Sequence, residues 1–197
     1  MKEHEVNKLN CGIGAWYIDP GICNELVDFF ESNEQEHIQG ICGGGAPENS
    51  TVSPETKDST DLGCGEYGSI FPFSTYLDQL AQVCNLYQDN YNFSCNMHGL
   101  WKIVEGYNIQ RYYPGQGFHG WHFERNSIDN SKRHLVWMTY LNDVTDGGET
   151  EWFHQNVKIK PEKGLTVLWP SDWWFTHRGV TSHTQTKYII TGWYSYY

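Results

Sequence analysis

The sequence predicts a mainly β fold with supporting helices, a jelly-roll-like core, and three observations carry that prediction. From Trp101 onward, short segments rich in β-branched and aromatic residues (NIQRYY, HLVWMTYL, TEWF, VKIK, LTVLW, THRGV and KYIITGWY) alternate with the turn-formers PGQG, NDVTDGG and KPEKG. Many short strands so spaced fit a sandwich or barrel rather than βαβ units. Both helical patterns precede these strands, which places helices together on one face of the β core. Finally, 197 residues with 39% hydrophobic and 16% aromatic content are enough for one globular domain with a substantial core.

Taken in order, the first helix follows Asp19-Pro20, an N-cap with proline in the first helical position. Ile22, Leu26, Val27, Phe29 and Phe30 then recur at helical spacing. The second helix runs through FSTYLDQLAQVCNLY, with Leu77, Leu80, Ala81, Cys84 and Tyr87 on one face. Between them, residues 40–68 are rich in Gly, Ser, Thr and Pro and read as one long loop, either a functional lid or disordered. The chain is thus expected to be a single domain. Residues 1–95 would form helical support around the loop at 40–68, and residues 96–197 the β core.

Twenty-four acidic against thirteen basic residues give a net charge of −11, which argues against a nucleic-acid partner. No apolar run approaches membrane-span length, and MKEHEVNKLN lacks the apolar core of a signal peptide. We therefore expect a soluble, cytoplasmic protein without a membrane partner. The six cysteines never form C-x-x-C, and in that setting free buried thiols are expected over a disulfide framework or a zinc site.

His122-Phe123-Glu124 is the sharpest local feature. In a strand, positions i and i+2 share a face, so an imidazole and a carboxylate would project together. They make two-thirds of a facial triad of the kind that holds non-haem Fe(II); alone, the pair is more often a surface strand with a solvated carboxylate. Downstream come Tyr140-Leu141-Asn142, Gly147-Gly148-Glu149-Thr150, Gly164, His177 and, ten residues later, Lys187. With the upstream segment Arg111–Gly117 (RYYPGQG), this ordered set over residues 108–193 resembles the prolyl 4-hydroxylase branch of the iron- and 2-oxoglutarate-dependent dioxygenases. Two departures stand out. Glu124 occupies the position where that family usually carries aspartate, and the segment from Tyr112 to His122 is one residue longer than the commonest spacing.

The resemblance implies a double-stranded β-helix and the cofactors Fe(II), 2-oxoglutarate and O2, with ascorbate as reductant. It implies hydroxylation of proline in a peptide or protein, coupled to decarboxylation of 2-oxoglutarate to succinate. It also implies His122, Glu124 and His177 as metal ligands and Lys187 as the cation for the far carboxylate of 2-oxoglutarate. A hydroxyl from Tyr112 would complete that carboxylate's shell, with Tyr113, Tyr140 and Thr191 as alternatives. The same chemistry on a free amino acid or small metabolite, and a catalytically silent jelly-roll binding module, are the competing readings.

Other residues take plainer roles. His119 is read as a pocket-edge or packing residue and His183 as solvated, while His134 and His154 lie outside the matched metal positions. Arg178 should face away from the metal and form a salt bridge, with substrate contact as the alternative. Trp121, Trp173 and Trp174 flank the histidines and are read as core, with stacking at the pocket mouth as the alternative.

Overall fold

In the computed structural model, the described residues are 1–6, 10–43, 50–97 and 99–197. Strands β1 (Lys2–Glu3) and β2 (Gly14–Tyr17) precede helix α1 (Pro20–Ser32). Five short strands follow: β3 (Ile38–Gln39), β4 (Cys42–Gly43), β5 (Ser50–Thr51), β6 (Lys57–Asp58) and β7 (Thr60–Gly63). Helices α2 (Phe73–Asn90) and α3 (Asn92–Cys95) lead to β8 (Trp101–Lys102), β9 (Asn108–Tyr112) and β10 (Gly117–Phe118). The second half continues with β11 (Arg133–Tyr140), β12 (Thr150–Trp152), β13 (Val157–Ile159), β14 (Leu165–Pro170), β15 (His177–Gly179) and β16 (Lys187–Tyr196).

The large antiparallel sheet has the order β1-β2-β14-β11-β16-β9-β7-β3, with β8 also paired to β16. Opposite it stand the three-stranded sheet β13-β12-β15 and the ribbon β10-β6. This is the jelly roll expected from the strand spacing. Alternation along β11 explains how one strand serves two cores. Leu135 and Trp137 belong to the cluster under the helices, with Leu26, Phe30, Tyr76 and Leu80. Val136, Met138 and Tyr140 belong to the second cluster, with Trp152, Trp169 and Phe175.

Helix α1 begins as its sequence dictates: the Asp19 side chain accepts from the Gly21 amide at 2.8 Å and Pro20 opens the first turn. Helix α2 is rotated from the expected face. Tyr76 and Val83 are buried, Ala81 is exposed and Leu77 only partly covered. Tyr76 has a hydroxyl partner in the sheet, Thr139 Oγ1 at 2.9 Å, and turning that ring inward sets the helix orientation.

Residues 1–95 are more than helical support, because β2 pairs with β14 and β7 with β9 inside the large sheet. The expectation of a single loop at 40–68 is corrected accordingly, its residues 44–49 lying outside the described ones. The strand β7 escaped the periodicity argument because its inward Asp61 faces a polar cavity while Leu62 packs under the helices. All six cysteines are free thiols, four of them buried. No helix among the described residues is long and apolar enough to cross a membrane.

Candidate iron centre

His122 lies just outside a regular strand, but its backbone forms an antiparallel bridge with His177 at the start of β15. The two amides donate reciprocally to the two carbonyls at 3.0 and 2.8 Å, which brings the imidazole centroids to 4.3 Å. His122 Nδ1 lies 2.8 Å from the Gly120 carbonyl and His177 Nδ1 2.9 Å from that of Phe175. A carbonyl can only accept, so each Nδ1 carries the proton and each Nε2 keeps its lone pair. Ring packing fixes the same orientation: Phe118 stacks on His122 at 3.6 Å and Trp169 meets His177 edge-on at 5.1 Å.

Glu124 completes the cluster. Its Oε1 lies 3.6 Å from His122 Nε2 and 3.5 Å from His177 Nε2. Its Oε2 accepts from the Trp193 indole N–H at 3.0 Å and faces Arg133 Nη1 at 3.5 Å. One oxygen is therefore held by the protein and the other is turned toward the two free imidazole lone pairs. Burial pulls His122 down to about 3, helped by neighbouring His177. Burial would raise Glu124, but its two histidine neighbours and the positive charge of Arg133 hold it at about 2. Neutral His122 and an anionic carboxylate are the protonation states a divalent cation needs. These three residues are the group among the described residues whose donor atoms could hold a metal ion, all within 4.8 Å of one another. Two imidazoles and a carboxylate with open positions suit Fe(II), and partners on the far side of each donor are what such sites require.

The cluster opens into a cavity of about 490 Å³. Lys187 stands on its wall at the start of β16, directly across from Tyr112 on β9. The ammonium is buried, contacts the Gly148 carbonyl at 3.2 Å and sits 4.9 Å above the Tyr112 ring. No carboxylate among the described residues is within ion-pairing distance of it. Burial lowers its pKa to about 8 against the opposing influence of Glu149. A buried cation with no counter-ion among the described residues can receive an anion.

The candidate hydroxyls separate clearly. Tyr112 lines the cavity and donates to Gln110, and Thr191 lines it while donating to the Trp137 carbonyl. Tyr140 is fully buried between the sheets, its hydroxyl bonded to Thr150 and the Ile159 carbonyl, so it supports the wall behind Thr150 instead of reaching the cavity. Tyr113 is exposed and stacks on Arg111. His119 bonds Thr181 at 3.1 Å, His183 is exposed, and Arg178 pairs with Glu151 at 2.6 Å.

The tryptophan expectation is corrected. Trp121, Trp173 and Trp174 are 41%, 60% and 49% exposed and none lines the cavity. The short 3-10 turn Trp173–Phe175 buries only Phe175 and turns both indoles outward, where Trp174 stacks on His154. Sequence reasoning missed Arg133, Trp193, Lys57 and Asp61. Trp193 had a usable signal, since it lies six residues after Lys187 and shares its face of β16.

Residues 107–195 match the family model of the 2OG-Fe(II) oxygenase superfamily. None of the curated proteins matches. Among solved structures, the chain is similar to the viral collagen prolyl hydroxylase of Paramecium Bursaria Chlorella virus-1 (TM-score 0.68, 16% identity, 95% of this chain and 98% of that one). It is similarly close to a Pseudomonas putida prolyl-4-hydroxylase (0.68, 17%, 94% and 93%). A third is a Trichoplax adhaerens prolyl hydroxylase solved with a hypoxia inducible factor peptide fragment (0.67, 19%, 96% and 86%). Residues 107–195 thus carry a 2OG-Fe(II) oxygenase domain, a family whose chemistry uses Fe(II), 2-oxoglutarate and O2, and the chain as a whole has the fold of these prolyl hydroxylases.

Proposed function

We propose that this enzyme hydroxylates proline in a peptide or protein, with His122, Glu124 and His177 holding the iron and Lys187 and Tyr112 the far carboxylate of 2-oxoglutarate. The observation that carries the reading is the coexistence, in one cavity, of a two-histidine, one-carboxylate cluster and a buried lysine with no counter-ion among the described residues. When bound, Fe(II), 2-oxoglutarate and O2 supply the oxidising power, and 2-oxoglutarate leaves as succinate and CO2. The protein's part is geometric and electrostatic. The carbonyls of Gly120 and Phe175 orient the imidazoles, and Trp193 and Arg133 hold the carboxylate. Lys187 neutralises the anion, while Met138, Val136, Trp169 and Ile189 keep the cavity wall apolar.

A prolyl substrate is supported by the likeness to three prolyl hydroxylases, one solved with a peptide. The six free thiols support a reducing, cytoplasmic setting. The test is mass spectrometry of a proline-containing peptide panel incubated with Fe(II), 2-oxoglutarate, O2 and ascorbate. The expected result is the gain of one oxygen atom on proline, lost without 2-oxoglutarate. Succinate formation stimulated by a small molecule and by no peptide would replace this substrate class.

A further inference from the structure

The cavity contains a second buried lysine, and its surroundings are the opposite of those of Lys187. Lys57 and Asp61 are 3% and 2% exposed and both line the cavity. They stand on β6 and β7, where Lys57 pairs in register with Phe118 and Asp61 with Gln110. Lys57 Nζ donates to Asp61 Oδ2 at 2.6 Å. The carboxylate is otherwise saturated: Ser59 donates to Oδ1 at 2.7 Å and Asn108 approaches Oδ2 at 3.5 Å.

The ammonium is not saturated. It has three N–H groups, and among the described residues Asp61 is its only acceptor within hydrogen-bonding distance. One side of it is closed by main chain. A Cβ built on Gly40 would stand 3.3 Å from Nζ and 2.1 Å from the Ser59 hydroxyl, so the spare N–H groups have the cavity as their open side. Nζ lies 5.9 Å from the Phe118 ring, and that ring lies on His122. The free donors are therefore one aromatic ring away from the metal-ligand cluster. A buried ion pair costs desolvation that its own attraction barely offsets, so this one has no evident use as a stabiliser.

We propose that Lys57 anchors the substrate, donating its free N–H groups to a main-chain carbonyl oxygen of a peptide-borne residue presented to the metal-ligand cluster. The proposal rests on the peptide reading above and adds the group that recognises the peptide. The pair is neutral as a unit. A substrate carboxylate placed on Lys57 would bring an uncompensated negative charge next to Asp61, which is costly in a closed cavity. A carbonyl oxygen accepts the same hydrogen bonds and adds no charge. The two lysines thus divide the work: Lys187, with no counter-ion among the described residues, suits an anion, and Lys57, already neutralised, suits an amide.

The test compares stimulation of succinate formation by terminally blocked proline peptides and by free amino acids, in wild type, Lys57→Met and Asp61→Asn. The visible charge-transfer band of the anaerobic Fe(II)–2-oxoglutarate complex serves as the control for fold and cofactor binding. For blocked peptides we expect KM to rise about ten- to a hundredfold in Lys57→Met, the loss of one charged hydrogen bond, with the band retained. Asp61→Asn preserves the shape of the pair and leaves Lys57 positive. It should shift preference toward peptides ending in a free carboxylate by about tenfold or more. Equal KM values in wild type and Lys57→Met would overturn the role of Lys57 and leave the peptide reading standing. Stimulation of wild type by free amino acids alone would overturn both. An unchanged carboxylate-to-amide preference in Asp61→Asn would overturn the charge argument.

Discussion

The two faces of β16 obey different rules. Toward the helices it presents Tyr188, Ile190, Gly192 and Tyr194, and toward the cavity Lys187, Ile189, Thr191 and Trp193. The helix face is closely filled: at Gly192 a Cβ would stand 2.5 Å from the Trp137 indole. The cavity face carries a cation, a hydroxyl tied to the Trp137 carbonyl, and an indole N–H that holds Glu124. The strand is ordinary core on one side and the wall of a cavity on the other. Polar residues at inward positions mark where the fold gives up packing for a site.

Breaking the packed face should cost the most stability and the least chemistry. Trp137 is fully buried and its indole N–H has no hydrogen-bond partner among the described residues, so Trp137→Ala removes packed volume and no hydrogen bond found there. We expect a loss of about 3–5 kcal/mol in denaturant unfolding, while the folded fraction still forms the Fe(II)–2-oxoglutarate band. Loss of the band in folded protein would show that the two faces are not separable.

On the cavity face, Trp193→Phe keeps the ring and deletes the donor to Glu124 Oε2. Metal affinity should fall about ten- to a hundredfold, as for other residues that orient a ligand. The thermal midpoint of the apoprotein should move little by comparison. Isothermal titration with Fe(II) under nitrogen measures the first quantity and scanning calorimetry the second.

The smallest effect sharpens the comparison through Lys187. Its folded-state pKa of about 8 is below its ordinary 10.5. Below about pH 8 the ammonium is already charged and 2-oxoglutarate binding should be independent of this group. Above it, binding must take up a proton, and affinity should fall about tenfold per pH unit until the pKa of the complex is reached. The same depressed pKa means the unfolded chain binds the extra proton between about pH 8 and 10.5. Stability of the unliganded protein should therefore rise with pH over that window. Lys187→Met should flatten both profiles, with proton uptake read calorimetrically in buffers of different ionisation enthalpy.

How much was legible in the sequence follows the same division. The packed face announced itself, since the β-branched and aromatic runs HLVWMTYL and KYIITGWY, bounded by turn-formers, are enough to define β11 and β16. The metal cluster was legible because i, i+2 spacing joins His122 to Glu124 and an ordered pattern joins both to His177 and Lys187. The rest of the wall was not. Arg133 and Lys57 reach the site through long-range strand pairing, and Asp61 sits in a segment whose polar inward residues hide its strand character. Trp173 and Trp174 misled for the converse reason: large apolar side chains suggest burial, yet a short turn before His177 exposes them.

The central claim is that His122, Glu124 and His177 hold the iron on which 2-oxoglutarate binds. Anaerobic titration of the apoprotein with Fe(II) and 2-oxoglutarate, monitored in the visible, tests it most directly. The account predicts a charge-transfer band in wild type that is absent from folded His177→Ala and Glu124→Ala. A band of equal strength in both variants, or none in folded wild type carrying iron, would contradict it.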